Sequence, residues 1–302
     1  MQTGDGLLAR VRVAGARLTP ADLAALAKLA DEHGNGLIEI TARGNLQVRG
    51  LRPDTAPAFA EAVAALLPIE TGLTIDISPI AGADPEEIAD PRPLADAIGK
   101  GAAGLAGRLG PKVSVVIDGG GQISLSQLKA DIRLWAQPGN SWAVTLGGGK
   151  PQHMDAQGVV ATALAFLGAL AAIGPEARAT DLFPVRDQVS SPEASRVLIH
   201  WRPRLNLVQG HSRAIALPFG AARSAEIIAL CDAAMASKLT RMRLAPEHIL
   251  LLDNAPDTLI AQAAEIGFIT KADDPRTRVS ACIGSRGCTS GHIAARDLAA
   301  QL

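Results

Sequence analysis

Tyrosine is absent from this 302-residue chain, and aromatic residues of all kinds make up only 3% of it. That scarcity removes the stacking platforms on which single-stranded nucleic acid is held, and it leaves the cores to Ala, Leu, Val and Ile. Net charge is missing too. With 29 Lys and Arg against 30 Asp and Glu, the formal charge is −1, so no overall field draws the chain to a polyanion and no nucleic-acid partner is expected. Three cysteines are too few for a disulfide framework, and a reducing, cytoplasmic setting is expected. Residues 1–8 hold no apolar stretch of signal-peptide length. The longest apolar run, residues 159–173, contains Thr162 and Gly168 and falls short of the ~20 residues of a membrane helix. It reads as a buried helix, and no membrane partner is expected.

What is present is a globular composition, 48% hydrophobic and 20% charged, organised as a repeat. Residues 7–13 alternate as a strand, and Thr19-Pro20-Ala21-Asp22 opens a helix with a capping Thr and Pro at its first position. Gly34-Asn35-Gly36 ends it; residues 37–41 and 46–51 read as strands and 54–67 as a second helix. The same βαββα order returns as a strand at 213–219, a helix at 222–237, strands at 241–244 and 248–252, and a helix at 256–266. Two such units can pair into a pseudo-symmetric platform. Between them, residues 78–202 read as a separate α+β domain with helices at 93–109 and 158–173 and strands at 113–117, 123–125, 132–135 and 142–146. Its triplets Gly119-Gly120-Gly121 and Gly147-Gly148-Gly149 are turns without the spacing of a nucleotide loop. The expected domains are 1–77, 78–202, 203–274 and a last segment, 275–302, that ends inside a predicted helix at 292–301.

That last segment reads Cys282-Ile-Gly-Ser-Arg-Gly-Cys288-Thr-Ser-Gly-His292. Two thiols across a Gly-containing turn suit iron, since glycine lets backbone N–H groups approach cluster sulfides. Two other readings stand beside it: a zinc or mononuclear iron site using Cys282, Cys288 and His292, or two small buried apolar residues. Cys231, within Ile227-Ile228-Ala229-Leu230-Cys231, reads as core, and the other histidines, His33, His153, His200, His211 and His248, as surface or helix-end residues. Arg43 lies between two predicted strands. Aligning Asn45-Leu46-Gln47 with His248-Ile249-Leu250 sets Pro246 in its place in the second repeat, so the guanidinium is not demanded by the shared scaffold, and its fork of donors suits a carboxylate or phosphate. Arg49 and Arg52 are expected to add to that anion-binding surface; a solvated turn arginine is the bland alternative.

The duplicated units, the cysteine spacing and Thr41-x-Arg43-x-x-Leu46-Gln47 resemble the siroheme-dependent sulfite and nitrite reductases. That superfamily alternates ferredoxin-like half-domains with cluster- and haem-binding α+β domains. Within it, Thr3-Gly4-Asp5-Gly6-Leu7-Leu8, Ala216-Leu217-Pro218-Phe219-Gly220 and the cysteine segment look like the precorrin-3B synthase branch. The resemblance implies a monooxygenase of cobalamin biosynthesis that hydroxylates precorrin-3A at C20 with lactone formation, using O₂ and an external electron donor such as an NADH-linked reductase. It implies a 4Fe-4S cluster on Cys282 and Cys288, with a non-haem iron as a further metal, and tetrapyrrole contacts from Arg43, Gln47 and Lys112. It points to no catalytic residue.

Departures from the reductases support the narrower branch. Lys112-Val113-Ser114 keeps one lysine of their Lys-x-Lys pair, and Leu73-Thr74-Ile75 stands where they carry an arginine. Reducing a small oxyanion calls for several cations around it. The family's later CxxxC pair has no counterpart after Cys288, so a truncated chain is expected. A siroheme reductase and a non-catalytic tetrapyrrole-binding scaffold remain the alternatives.

Overall fold

Thr19 and Pro20 start the first long helix as their sequence demands. The Thr19 side chain accepts from the Asp22 N–H while the Asp22 carboxylate accepts from the Thr19 N–H, a reciprocal cap with Pro20 at the first helical position. The computed structural model describes residues 1–183 and 212–301, and contacts divide the chain into two units, Met1–Glu70 with Arg202–Leu302, and Thr71–Trp201.

The first repeat runs β1 (Gln2–Thr3), β2 (Gly6–Val11), β3 (Arg17–Leu18), α1 (Pro20–His33), β4 (Leu37–Ile40), β5 (Leu46–Leu51) and α2 (Ala56–Leu66). Leu23, Leu26, Ala27 and Ala30 form the buried stripe of α1, the i, i+3, i+4, i+7 spacing of an amphipathic helix. β2, β5 and β4 are antiparallel neighbours.

The unit of residues 71–201 has one five-stranded sheet in the order β10-β9-β8-β7-β6. Its elements are β6 (Thr74–Ile77), α3 (Arg92–Ala102), β7 (Ser114–Asp118), β8 (Ile132–Gln137), β9 (Ser141–Leu146), β10 (Gln152–Met154), α4 (Ala156–Ile173) and α5 (Ala179–Leu182). Thr74–Ile77, assigned from sequence to the first half-domain, pairs in parallel with β7 here. The expected strand at 123–125 does not form. Ile123 and Leu125 are buried, but the backbone is taken by side chains, the Gln122 N–H by Asp84 and the Leu125 N–H by Asp118, which leaves no ladder to join. α4 spans 18 residues and is long and apolar enough to cross a membrane, more than the sequence suggested; it packs Val159, Ala163, Phe166, Leu167 and Leu170 into this unit's core.

The second repeat comprises β11 (Ser212–Ala216), β12 (Ala221–Arg223), α6 (Ser224–Ala236), β13 (Met242–Ala245), β14 (Ile249–Asp253) and α7 (Asp257–Ile266). The two repeats trade strands. β3 leaves the first to pair with β13, setting Leu18 opposite Met242, and β12 leaves the second to pair with β4, setting Ala222 opposite Ile38. One shift of 204 residues converts either pair into the other (18 to 222, 38 to 242). The result is two sheets, β1-β2-β5-β4-β12 and β11-β14-β13-β3, over a single core in which Leu23 and Leu26 of α1 join Ile227, Leu230 and Cys231 of α6.

This register corrects the alignment read from sequence. With the shift of 204 fixed by the strand pairing, the counterpart of Arg43 is Glu247, not Pro246. Side chains alternate faces along a strand, so a slip of one residue would turn the core faces Leu46/Val48 and Leu250/Leu252 outward. The same shift maps Glu39 onto Arg243 and Arg49 onto Asp253. Both are ion pairs, with the charges interchanged between strands.

Candidate functional site

After α7 the chain makes two short 3-10 turns, Pro275–Arg278 and Gly284–Arg286, and ends its described part in α8 (Ala295–Ala299), a shorter helix than the sequence suggested. Cys282 and Cys288 flank the second turn as exposed free thiols. The turn is closed by N–H groups of Gly287 and Cys288 on the Gly284 carbonyl, at 3.1 and 2.9 Å. Gly284 has φ 63, and a Cβ there would run into the Ile293 carbonyl, so glycine is required at this point.

The loop is docked on the outer face of the first sheet. Alternation along β5 sends Leu46 and Val48 into the core and Gln47 and Arg49 to the opposite face. Arg49, 6% exposed, grips Asp5 with two bonds, Nε to Oδ2 and Nη2 to Oδ1, each 3.0 Å. The same Nη2 donates to the Gly287 carbonyl at 2.9 Å, which also accepts from the Gly4 N–H at 3.1 Å. On β4, across from Gln47, Glu39 stands 3.6 Å from Arg49 Nη1. It accepts from Gln47 Nε2 at 2.8 Å and from Arg296 Nη2 at 2.6 Å. Nε and Nη1 of Arg296 are buried without a hydrogen-bond partner. Burial alone would push the Asp5 carboxyl up, but the Arg49 and Thr3 hydrogen bonds and the Arg49 charge outweigh it and hold Asp5 below the usual carboxylate range.

Arg43 sits in the turn between β4 and β5, where the Thr41 hydroxyl accepts from the N–H groups of Arg43 and Asn45. This turn meets its own counterpart. The Glu247 N–H donates to the Ala42 carbonyl at 3.0 Å, and His248 Nδ1 lies against the Ile40 carbonyl, so His248 is a junction residue rather than a surface one. Burial holds the Glu247 carboxyl above its ordinary range. A raised folded value means that the folded state keeps the proton more tightly, so stability falls as pH rises from the unfolded value through the folded one. Glu247→Gln is therefore expected to melt higher than the wild type at pH 7, a difference that disappears below the ordinary glutamate range in paired thermal melts.

Of the other residues singled out by sequence, Gln47 lies on the face that receives the cysteine loop, its amide held between Glu39 and the Arg10 guanidinium, whose Nη2 donates at 2.9 Å. Arg49 is a correction. It is not part of an open anion-binding surface but a buried partner of Asp5 and Glu39; Arg52 is exposed 3.5 Å from Asp54. Lys112 is an exposed residue of the other unit. His200 and His211 lie outside the described residues. Sequence reasoning missed Glu39 and Arg296; a lone carboxylate inside the apolar strand Leu37-Ile38-Glu39-Ile40 was the available signal.

Residues 1–66 match the nitrite/sulfite reductase ferredoxin-like half domain. The whole chain aligns at 38% identity with a precorrin-3B synthase from Sinorhizobium sp., of which it covers 71%. The chain belongs to the precorrin-3B synthase family. A ferredoxin–nitrite reductase from Synechococcus elongatus is 36% identical over 103 residues, 32% of this chain and 20% of that protein. The solved structure of Mycobacterium tuberculosis NirA superposes with a TM-score of 0.72 over 97% of this chain at 18% identity. That likeness concerns the fold, and the chain spans 63% of that structure's length. The α+β architecture of duplicated ferredoxin-like half-domains is therefore the superfamily's.

Within this precorrin-3B synthase family member, Cys282 and Cys288 are exposed free thiols, the donor type that an iron–sulfur cluster takes. Among the described residues, no three His, Cys, Asp or Glu side chains gather to hold a metal ion, so the zinc-type trio of Cys282, Cys288 and His292 is not formed. Cys231 is fully buried, and burial, with Asp232 nearby, pushes its thiol up to about 12. Since the thiolate is the nucleophile, native protein is expected to react at two cysteines with a maleimide. The third should appear only after denaturation, as counted by mass spectrometry.

Proposed function

We propose that this chain is a monooxygenase that hydroxylates precorrin-3A at C20 with closure of a lactone from an acetate side chain. One atom of O₂ enters the substrate and the other leaves as water, with two electrons drawn from an external donor such as an NADH-linked reductase. The observation that carries this reading is identity of 38% over the entire chain.

Cys282 and Cys288 are the residues that would hold a 4Fe-4S cluster, as its two ligands from this chain; when bound, the cluster supplies single-electron transfer. A non-haem iron belongs to the same proposal, with no ligand assigned. Arg43 offers a cation to a carboxylate of the tetrapyrrole; Lys112, in the other unit, is a separate candidate taken by itself. Gln47, held on both sides of its amide, orients that sheet face rather than reaching out freely. Cytoplasmic location is part of the same reading.

A siroheme-dependent sulfite or nitrite reductase is the second reading, favoured by the local likeness to the Synechococcus nitrite reductase. Against it, Ser114 stands where the second lysine is expected and is 4% exposed, so no cation occupies that strand position. A non-catalytic scaffold is the third. The deciding experiment is anaerobic reconstitution with iron and sulfide, then addition of precorrin-3A, an external two-electron donor (NADH with a reductase, or a chemical reductant) and O₂. An O₂-dependent absorption change with a product heavier by one oxygen is expected. No turnover by iron-loaded protein would overturn the proposal, siroheme bands in the purified protein would establish the second reading, and tight precorrin binding without iron the third.

A further inference from the structure

We propose that Arg49, clamped by Asp5, is a positioning residue for Cys288, fixing the peptide in front of that thiol so that the loop presents both cysteines together. The inference rests on the half-site reading of Cys282 and Cys288.

A buried ion pair by itself is weak evidence of purpose, because apolar residues of similar volume often stabilise as well. The Arg49–Asp5 pair does something that an apolar pair does not. Arg49 Nη2 serves Asp5 and the Gly287 carbonyl together, at 3.0 and 2.9 Å, and the Gly4 N–H captures that carbonyl from a second direction. With its oxygen held twice, the Gly287–Cys288 peptide plane is restrained against rotation. The Cys288 N–H then remains aimed at Gly284, and the direction of the Cys288 side chain is set by the sheet beneath it.

The packing leaves no slack. A Cβ on Gly287 would meet Ile283, Arg49 Nη2 and Asp5 Oδ2, and one on Gly4 would meet the backbone of Cys288 and Thr289. Thr3 Oγ1 and Asn35 Nδ2 both donate to Asp5, at 2.8 and 3.2 Å, so the clamp's anchor is itself fixed. Downstream of the loop, the Arg296–Glu39 pair ties the chain to the same face. Cys288 thus lies between two tethers, of which only the Arg49 one touches the adjoining peptide. Lysine offers a point charge and cannot reproduce the fork.

The test uses the metal-free protein and Arg49→Lys, with Asp5→Asn as the second variant. Amide exchange at Gly4 and Cys288 is expected to speed up by about tenfold, the size that loss of one charged hydrogen bond allows. Co²⁺ serves as the metal probe, read by its thiolate charge-transfer band, and its affinity is expected to fall by a similar factor. Cys231 should stay unreactive, which reports an intact core; if Arg49→Lys exposes it, Asp5→Asn carries the test with the same expectation. Unchanged exchange at both amides would overturn the proposal, as would faster exchange with unaltered Co²⁺ affinity. A wild-type chain that fails to bind Co²⁺ through both thiols would instead overturn the half-site reading. The exchange measurement needs no metal and tells the two failures apart.

Discussion

Glu39→Ala is expected to destabilise the unit that contains both repeats by roughly 3–5 kcal/mol, the range for removing one partner from a buried charge group. Glu39 is 6% exposed and answers three groups: the Arg49 and Arg296 guanidiniums and the Gln47 amide. Its loss strands Arg296 entirely, since the other buried nitrogens of that side chain already lack partners, and it leaves Arg49 with Asp5 as its charged partner beside the Gly287 carbonyl. The complementary change should be mild. In Arg296→Leu, Glu39 keeps Arg49 and Gln47, and an orphaned guanidinium is removed from the interior, so a change of no more than about 1 kcal/mol is expected. Urea titrations of both variants check the asymmetry; equal losses would mean that Glu39 and Arg296 matter only to each other.

Leu230→Ala is expected to cost about 2–5 kcal/mol as a cavity in a closely packed core, and to do so for both repeats at once. Leu230 of α6 and its counterpart Leu26 of α1 are each 0% exposed within one cluster. Were the repeats independent domains, only the second would loosen. With each lending a strand to the other, amide protection in β4 and β5 should fall together with that in β13 and β14. Site-resolved hydrogen exchange makes the comparison, and undisturbed amides in the first repeat would show that the seam is not cooperative.

The parts of this architecture that sequence could reveal were those governed by local rules. Thr19, Pro20 and Asp22 start α1 where their chemistry predicts, and the alternation of residues 46–51 gives β5 its full length. The strand exchange was hidden because Arg17–Leu18 and Ala221–Arg223 are too short for any periodicity. The repeat was visible but misaligned by one position: setting Asn45-Leu46-Gln47 against His248-Ile249-Leu250 puts Leu46 on Ile249, whereas the true register sets it on Leu250, the residue that faces inward. At the candidate site, Cys282 and Cys288 announced themselves by spacing. Arg49 was noticed and given the wrong surroundings, because nothing in β5 tells that residues more than two hundred positions away cover its outer face. Asp5 lay in a segment noted only for resemblance, and its role depends wholly on that covering.

The interchanged ion pairs bear on how the last segment finds its seat. A duplicated scaffold presents two similar outer faces, and the last segment has to select one of them. On one face, β4 carries a carboxylate and β5 a guanidinium, Glu39 and Arg49; on the other, Arg243 and Asp253 reverse that polarity. A tail that brings Arg296 to the first position and the Gly287 carbonyl to the second would meet a like charge and a lone-pair repulsion at the mirror address. Misdocking is thereby penalised at both points together, so the charges of the first face alone match the segment that carries the cysteines.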